Sequence, residues 1–344
     1  MAERLEDIAA RMVSPGKGIL AADESGGTIG KRFDALGIPS TADTRRDYRE
    51  MFFRADEAMR NFVSGVILFD ETIRQNAKDG TPLVKLIADA GAVPGIKVDT
   101  GAKDLALAPG EKITEGLDGL RERLKEYYDL GARFAKWRAV IEIGPGLPTQ
   151  NAIHANAHAL ARYAALCQER GIVPIVEPEV IMDGPVSTHD IDTCYAVTEK
   201  TLKAVFEELR LANVNLRGIV LKPSMIVAGK KSAKQPSAKE VAEKTLQVLK
   251  ATVPAEVPGI AFLSGGQTDQ QATEHLSLMN QMADKLPWRL TFSYGRALQS
   301  AAMKTWAGKP ENVAAGQKAF LHRVRMNSLA ATGRWAADLE KQAA

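Results

Sequence analysis

Short apolar runs rich in β-branched residues recur along the chain, each ending at glycine, proline or a polar side chain. Eight stand out, at 18–22, 63–69, 94–98, 134–140, 173–177, 218–222, 260–264 and 290–294. Runs of this length bounded by turn formers predict strands. Between them the apolar spacing changes from two to three or four. Leu83, Leu86 and Ile87 follow Thr81-Pro82 and precede Gly91, which predicts a capped helix with a first-turn proline and a closing glycine. Leu117, Leu120, Leu124 and Tyr128 share one helical face. Further helices are expected at 151–170, 192–211, 239–251, 269–285, 296–306 and 311–331, and the N-terminal MAERLEDIAARMV also has helical spacing.

Strands alternating with helices close into a (β/α)8 barrel or open into a doubly wound sheet. Three features select the barrel. There are eight strands, no G-x-G-x-x-G follows the first, and polar residues cluster at strand C-terminal ends. The expected class is therefore α/β, a single (β/α)8 TIM barrel with an extra N-terminal helix and a C-terminal helical extension. No low-complexity linker divides the chain, so 1–344 reads as one domain with 330–344 as a tail.

Charge enters where a core should be. Asp23 ends the first strand, Lys97 lies in the third, Lys136 and Arg138 in the fourth, Glu177 and Glu179 at the end of the fifth, and Lys222 in the sixth. Residues two apart on a strand share a face, so Lys136 pairs with Arg138, and Glu177 with Glu179. Gathering so many ions in a barrel mouth is costly unless they are paired or used. A lysine among cations and apolar walls loses proton affinity and becomes a nucleophilic amine that forms a Schiff base with a ketone. Lys222, ending Gly-Ile-Val-Leu-Lys, is the best candidate. Lys136 is expected to depress its proton affinity, Glu177 to shuttle protons, and Asp23 to hold or deprotonate a substrate hydroxyl. Ser264-Gly265-Gly266 and Tyr294-Gly295-Arg296 follow the last two strands, the usual phosphate loops of barrel enzymes. Ser25-Gly26-Gly27-Thr28 with Lys31 and Arg32 suggests a second anion site. Two such sites flanking a lysine imply a substrate phosphorylated at both ends.

Composition narrows the setting. The 344 residues are 45% hydrophobic with a net charge of +3, which excludes a disordered chain and lacks the basic excess of a nucleic-acid binder. The two cysteines, Cys167 and Cys194, cannot form a disulfide scaffold, so a reducing compartment is expected. There is no secretory signal and no apolar run long enough for a membrane span, so the expected location is cytoplasmic. The basic run 229–234 reads as a solvated loop.

At this point seven strand-end runs resemble class I fructose-bisphosphate aldolase. They are Leu20-Ala-Ala-Asp-Glu-Ser25, Gly95-Ile-Lys-Val-Asp99, Phe134-Ala-Lys-Trp-Arg138, Ile175-Val-Glu-Pro-Glu179, Leu221-Lys-Pro-Ser-Met225, Phe262-Leu-Ser-Gly-Gly266 and Phe292-Ser-Tyr-Gly-Arg-Ala-Leu298. The resemblance implies a metal-free, cofactor-free enzyme, usually a homotetramer, that cleaves fructose bisphosphate reversibly to dihydroxyacetone phosphate and glyceraldehyde phosphate. It implies Lys222 as the Schiff-base lysine, Glu177 as its acid/base, Asp23 on the hydroxyl beside the breaking bond, Lys136 as a charge partner, and Glu179 as a carboxylate that tunes the lysines. Ser264, Gly265, Gly266, Ser293, Gly295 and Arg296 match one phosphate site. Ser25, Thr28, Arg32, Lys97 and Arg138 match the other phosphate or the substrate chain. The chain departs from the animal members in having no tyrosine after Tyr294, so Glu177, a water or the product phosphate is expected to carry the enamine proton. Ser224 stands where many members have asparagine, and Gly26 where many have threonine.

Other readings make different demands. His154 and His158 have the spacing of two metal ligands on a helix but no H-E-x-x-H pattern, and read as surface or interface histidines. A metal-dependent class II aldolase would lose activity to a chelator. A transaldolase-like or dehydratase-like barrel would prefer a singly phosphorylated or unphosphorylated substrate. A binding scaffold would have lost Lys222 or Glu177, and both are present.

Overall fold

The structure, a computed structural model, describes residues 3–282 and 285–341. Among the described residues ten strands form: β1 Gly18–Ala22, β2 Val63–Leu68, β3 Val93–Lys97, β4 Gly101–Asp104, β5 Lys112–Glu115, β6 Phe134–Ile141, β7 Val173–Val180, β8 Val220–Leu221, β9 Gly259–Phe262 and β10 Arg289–Tyr294. Eight close a parallel barrel in the order β1-β10-β9-β8-β7-β6-β3-β2, while β4 and β5 make a separate antiparallel hairpin. The expected (β/α)8 barrel is present, and the hairpin is an addition that the sequence reading missed.

Period two sorts the strand residues. One set, including Ile19, Ile67, Val93, Phe134, Ile175 and Val220, fills the lumen. The N-terminal helix Leu5–Met12 seals the lower end, because Ile8, Ala9 and Met12 join this cluster. The opposite strand faces pack against the surrounding helices in the larger core. Phe134 spans the lumen over a missing side chain: a Cβ on Gly95 would meet its ring at 2.3 Å.

Several expected boundaries shift for local reasons. Residues 216–218 form a turn of 3-10 helix, with Asn215 Oδ1 accepting from Arg217 N at 3.1 Å, so β8 keeps only two residues and Lys222 lies just beyond it. Pro82 is the cap residue and not the first helical one, because its antiparallel bridge with Asn76 holds it extended (ψ 133°) ahead of Leu83–Asp89. The helix expected from Leu117 starts at Leu120, after Gly119 with φ +66°. The helix expected at 269–285 is described as Asp269–Met282, and residues 283–284 of that expectation lie outside the described residues. Helices Gly26–Asp34, Ala42–Phe53 and Asp56–Phe62 were not anticipated.

Within the region read as a tail, Ala337–Lys341 is a docked 3-10 turn. Glu340 accepts from Arg323 Nη1 at 2.6 Å and Trp335 Nε1 at 3.0 Å. Residues 342–344 of that expected tail lie outside the described residues. Cys167 and Cys194 are free and buried. Among the described residues, no helix is long and apolar enough to cross a membrane.

Candidate active site

The barrel register brings the charged residues to one level, although β6 and β7 run on to Ile141 and Val180, so Lys136, Arg138 and Glu177 lie inside their strands and not at the expected ends. Lys97 pairs with Lys136, and Arg138 with Glu177. Lys222 N donates to Val176 O at 2.8 Å, which holds the residue beside β7 although its strand has ended. Above the lumen they line a cleft of about 250 Å³ with Asp23, Ser25, Thr28, Arg32 and Gly295.

At the centre, carboxylates and ammonium groups alternate. Lys222 Nζ lies 3.1 Å from Glu177 Oε1, Lys136 Nζ lies 3.5 Å from Glu177 Oε2, and Lys136 Nζ lies 2.7 Å from Asp23 Oδ2. All four side chains are at least mostly buried, so the charges act at short range in a poor solvent. For Asp23 burial favours the neutral acid, but Lys136, then Lys222 and Lys97, outweigh it and hold the carboxyl at about 2. For Lys136 burial favours the neutral amine, but Asp23, then Glu177 and Asp99, outweigh it and raise the ammonium above the ordinary lysine value. Glu177 is likewise pushed up by burial and pulled further down by Lys222, Lys136 and Arg138.

The two lysines are therefore unequal. Lys136 contacts two carboxylates and is the fixed cation. Among the described residues Lys222 contacts one, through a single oxygen. It can pass its proton to Glu177 and present a neutral amine to the cleft. Lys222 was expected beside Lys136 and Glu177; the Glu177 carboxylate stands between the two lysines, with one oxygen on each.

The outer contacts place most of the remaining expected residues. Glu179 forms an ion pair with Arg138 Nε, and a Cβ on Gly265 would stand 3.2 Å from Glu179 Oε1, so the glycine leaves room for that carboxylate. Burial works against the Arg138 charge, but Glu179, with Glu177 and Asp99, raises its proton affinity overall. Ser25 caps the helix Gly26–Asp34 by accepting from Thr28 N, so the Gly26-Gly27 pair is a helix start with free N–H groups. Ser293 is buried in β10 with its hydroxyl unpartnered. Ser264, Gly265, Gly266, Ser293, Glu179 and Arg296 do not line the central cleft. Arg296 is exposed and pairs with Asp183 at 3.4 Å. Ser224 Oγ donates to Val180 O at 2.9 Å, so the hydroxyl ties β7 to the segment carrying Lys222.

Three participants were missed. Asp99 lines the cleft, contacts Lys97 at 3.4 Å and accepts from Arg138 N at 3.3 Å. Its spacing two residues beyond Lys97 was the available signal. Glu24 Oε1 accepts from Arg32 Nη1 at 2.6 Å. Arg49, fully buried, donates to Ala22 O at 3.0 Å and Glu24 O at 3.1 Å, fixing the backbone on both sides of Asp23. No local pattern marks Arg49, since its partners lie on another element.

His154 and His158 both face Glu208, at 3.3 and 3.0 Å. Among the described residues no group of three or more His, Cys, Asp or Glu is arranged to hold a metal ion.

The arrangement sets a buried lysine against one carboxylate, with a second ionised carboxylate and further cations around it. Known proteins resemble this chain over almost its whole length. The family model for class I fructose-bisphosphate aldolase matches residues 4–344. A probable fructose-bisphosphate aldolase class 1 from Xanthomonas campestris pv. campestris is 58% identical, covering 97% of this chain and 98% of that one. The cytosolic fructose-bisphosphate aldolase 6 of Arabidopsis thaliana is 52% identical, covering 98% and 93%. The Plasmodium falciparum aldolase, solved with TRAP and a small-molecule inhibitor, superposes with a TM-score of 0.94 at 46% identity, covering 97% of this chain and 95% of that one. The chain belongs to the class I fructose-bisphosphate aldolase family, the glycolytic and gluconeogenic lyases that split fructose 1,6-bisphosphate reversibly into dihydroxyacetone phosphate and glyceraldehyde 3-phosphate through a lysine Schiff base.

Proposed function

We propose that Lys222 is the Schiff-base lysine, with Glu177 as its proton carrier and Asp23 as the base for carbon–carbon cleavage. The observation that carries this reading is the 3.1 Å contact between Lys222 Nζ and Glu177 Oε1, with Lys136 fixed as a cation on the other side of the carboxylate. Lys222 gives a proton to Glu177 and attacks the ketose carbonyl carbon. Glu177 returns a proton to the carbinolamine oxygen, which leaves as water, and the protonated imine remains. Asp23 accepts the proton of the hydroxyl two carbons along the chain. The C3–C4 electron pair moves toward the imine nitrogen, releasing the aldehyde and leaving an enamine. Asp23 returns its proton to solvent, Glu177 takes up a proton from water and delivers it to the enamine carbon, and water then hydrolyses the imine to free the ketone product and Lys222.

Lys136 stabilises the charge developing at the hydroxyl oxygen. Ser264, Gly265, Gly266, Ser293, Gly295 and Arg296 hold one phosphate, and Ser25, Thr28, Arg32, Lys97 and Arg138 hold the other end of the substrate. Arginine forks and free N–H groups suit phosphate oxygens. The exposed Arg296 and the N-terminus of Gly26–Asp34 support these assignments. A homotetramer formed from a chain of one domain, in the cytoplasm, completes the proposal. The cytosolic names of two Arabidopsis relatives support the location.

The experiment that separates the roles is single-turnover trapping with borohydride. Asp23→Asn should still form a reducible imine with dihydroxyacetone phosphate but cleave fructose bisphosphate at least about 100-fold more slowly. Glu177→Gln should slow imine formation itself. If Asp23→Asn abolishes trapping while Glu177→Gln does not, the two assignments are reversed.

A further inference from the structure

A carboxylate is an unexpected neighbour for an arginine assigned to a phosphate, yet Arg296 Nη2 lies 3.4 Å from Asp183 Oδ2. The loop that carries Asp183 is anchored. Ile181 N donates to Ile141 O at 2.9 Å, continuing the ladder past β7, and Lys230 N donates to Met182 O at 2.7 Å. Gly184 N donates to the buried Ser187 Oγ at 2.8 Å. On the other side Gly266 has φ +74°, and a Cβ there would stand 2.6 Å from Met182 Cβ. The residue before Asp183 thus packs on the Ser264-Gly265-Gly266 loop, and Asp183 itself faces the first residue of the helix Arg296–Trp306. A second carboxylate borders the same turn, since Glu142 Oε2 would lie 2.8 Å from a Cβ on Gly184.

From this juxtaposition we propose that Asp183 is an internal stand-in for the substrate phosphate. Its carboxylate engages Arg296 and yields when the phosphate arrives. The proposal rests on Arg296 being a phosphate ligand. A phosphate dianion outcompetes one carboxylate because it carries more charge and more acceptor oxygens. The displaced carboxylate stays nearby on its anchored loop and repels the bound dianion. Asp183 therefore sets the phosphate affinity, weakening it and easing departure of the phosphorylated product. It is a specificity-determining residue that acts through Arg296.

The test compares the full-length wild type, Asp183→Asn, Arg296→Ala and the double variant. The readouts are kcat and KM for fructose bisphosphate and the inhibition constant of inorganic phosphate. Asp183→Asn should lower KM and the phosphate constant about 2- to 5-fold at low salt, the range of an exposed ion pair. The gain should shrink in high salt and fall well below its wild-type size when Arg296 is alanine, leaving only the direct repulsion. Asp183→Glu, which keeps the charge, should retain wild-type constants. An unchanged or raised phosphate constant in Asp183→Asn, or an equal gain without Arg296, would overturn the proposal. Wild-type phosphate affinity in Arg296→Ala would overturn the assignment of Arg296 itself.

Discussion

Lys136 Nζ and Asp23 Oδ2 lie 2.7 Å apart at the mouth of the barrel, the lysine within β6 and the aspartate just beyond β1, strands that are not neighbours in the sheet. Lys136 is tied to Asp23 and shares Glu177, and these carboxylates hold its charge; the proposed mechanism gives Lys222 the role of the amine that reacts. Removing Lys136 leaves two buried carboxylates without their common partner. Lys136→Met should lower stability by about 3–5 kcal/mol and kcat by at least about 100-fold. Lys136→Arg, which keeps the charge, should recover most of the stability and little of the rate, because the fork does not fit an ammonium position. Denaturant melts and steady-state kinetics check both. A Lys136→Met variant within threefold of wild-type kcat contradicts the role.

His275 gives a prediction for pH. It is buried, contacts Gln267 Oε1 at 2.6 Å, and burial lowers its pKa from 6.5 to about 4. The folded protein thus resists protonating a group that the unfolded chain protonates readily. The sign follows: the stability from the neutral ring is complete above pH 6.5, falls as pH drops from 6.5 towards 4, and levels off below that. The loss should be about 2 kcal/mol between pH 7 and pH 5. Urea unfolding of wild type and His275→Gln at those two pH values checks this. The variant should lose less stability on acidification than wild type, and parallel losses contradict the account.

Gly95 tests lumen packing. A methyl group there would stand 2.3 Å from the Phe134 ring, which is fully buried and has nowhere to swing. Gly95→Ala should destabilise by about 1–3 kcal/mol. A shift in the denaturant midpoint measures it. Pairing Gly95→Ala with Phe134→Leu should recover part of the loss, and an unchanged midpoint in the single variant contradicts close packing at this level.

Much of the site was legible because strands alternate. Two-residue spacing put Lys136 with Arg138 and Glu177 with Glu179 before any coordinates, and the same rule applied to Lys97 would have included Asp99. What escaped depends on tertiary contacts. Arg49 and Glu50 are buried on helix Ala42–Phe53, so the inward face of that helix carries charge and shows no clean apolar stripe. The hairpin β4–β5 is mostly polar and partly exposed, and its backbone ladder, which leaves no hydrophobic pattern, holds it together. The strand before Lys222 is only two residues long, and a Cβ on Gly218 would stand 2.9 Å from Leu5 Cβ of the N-terminal helix, a contact no local pattern records.

The central claim is that Lys222 forms the covalent intermediate. The most direct measurement is to incubate the full-length protein with dihydroxyacetone phosphate, reduce it with borohydride and map the modified peptide by mass spectrometry. One adduct per chain, on Lys222 and absent from Lys222→Met, is the predicted result. An adduct on Lys136 or Lys97 instead, or none under conditions where the enzyme turns over, contradicts the account.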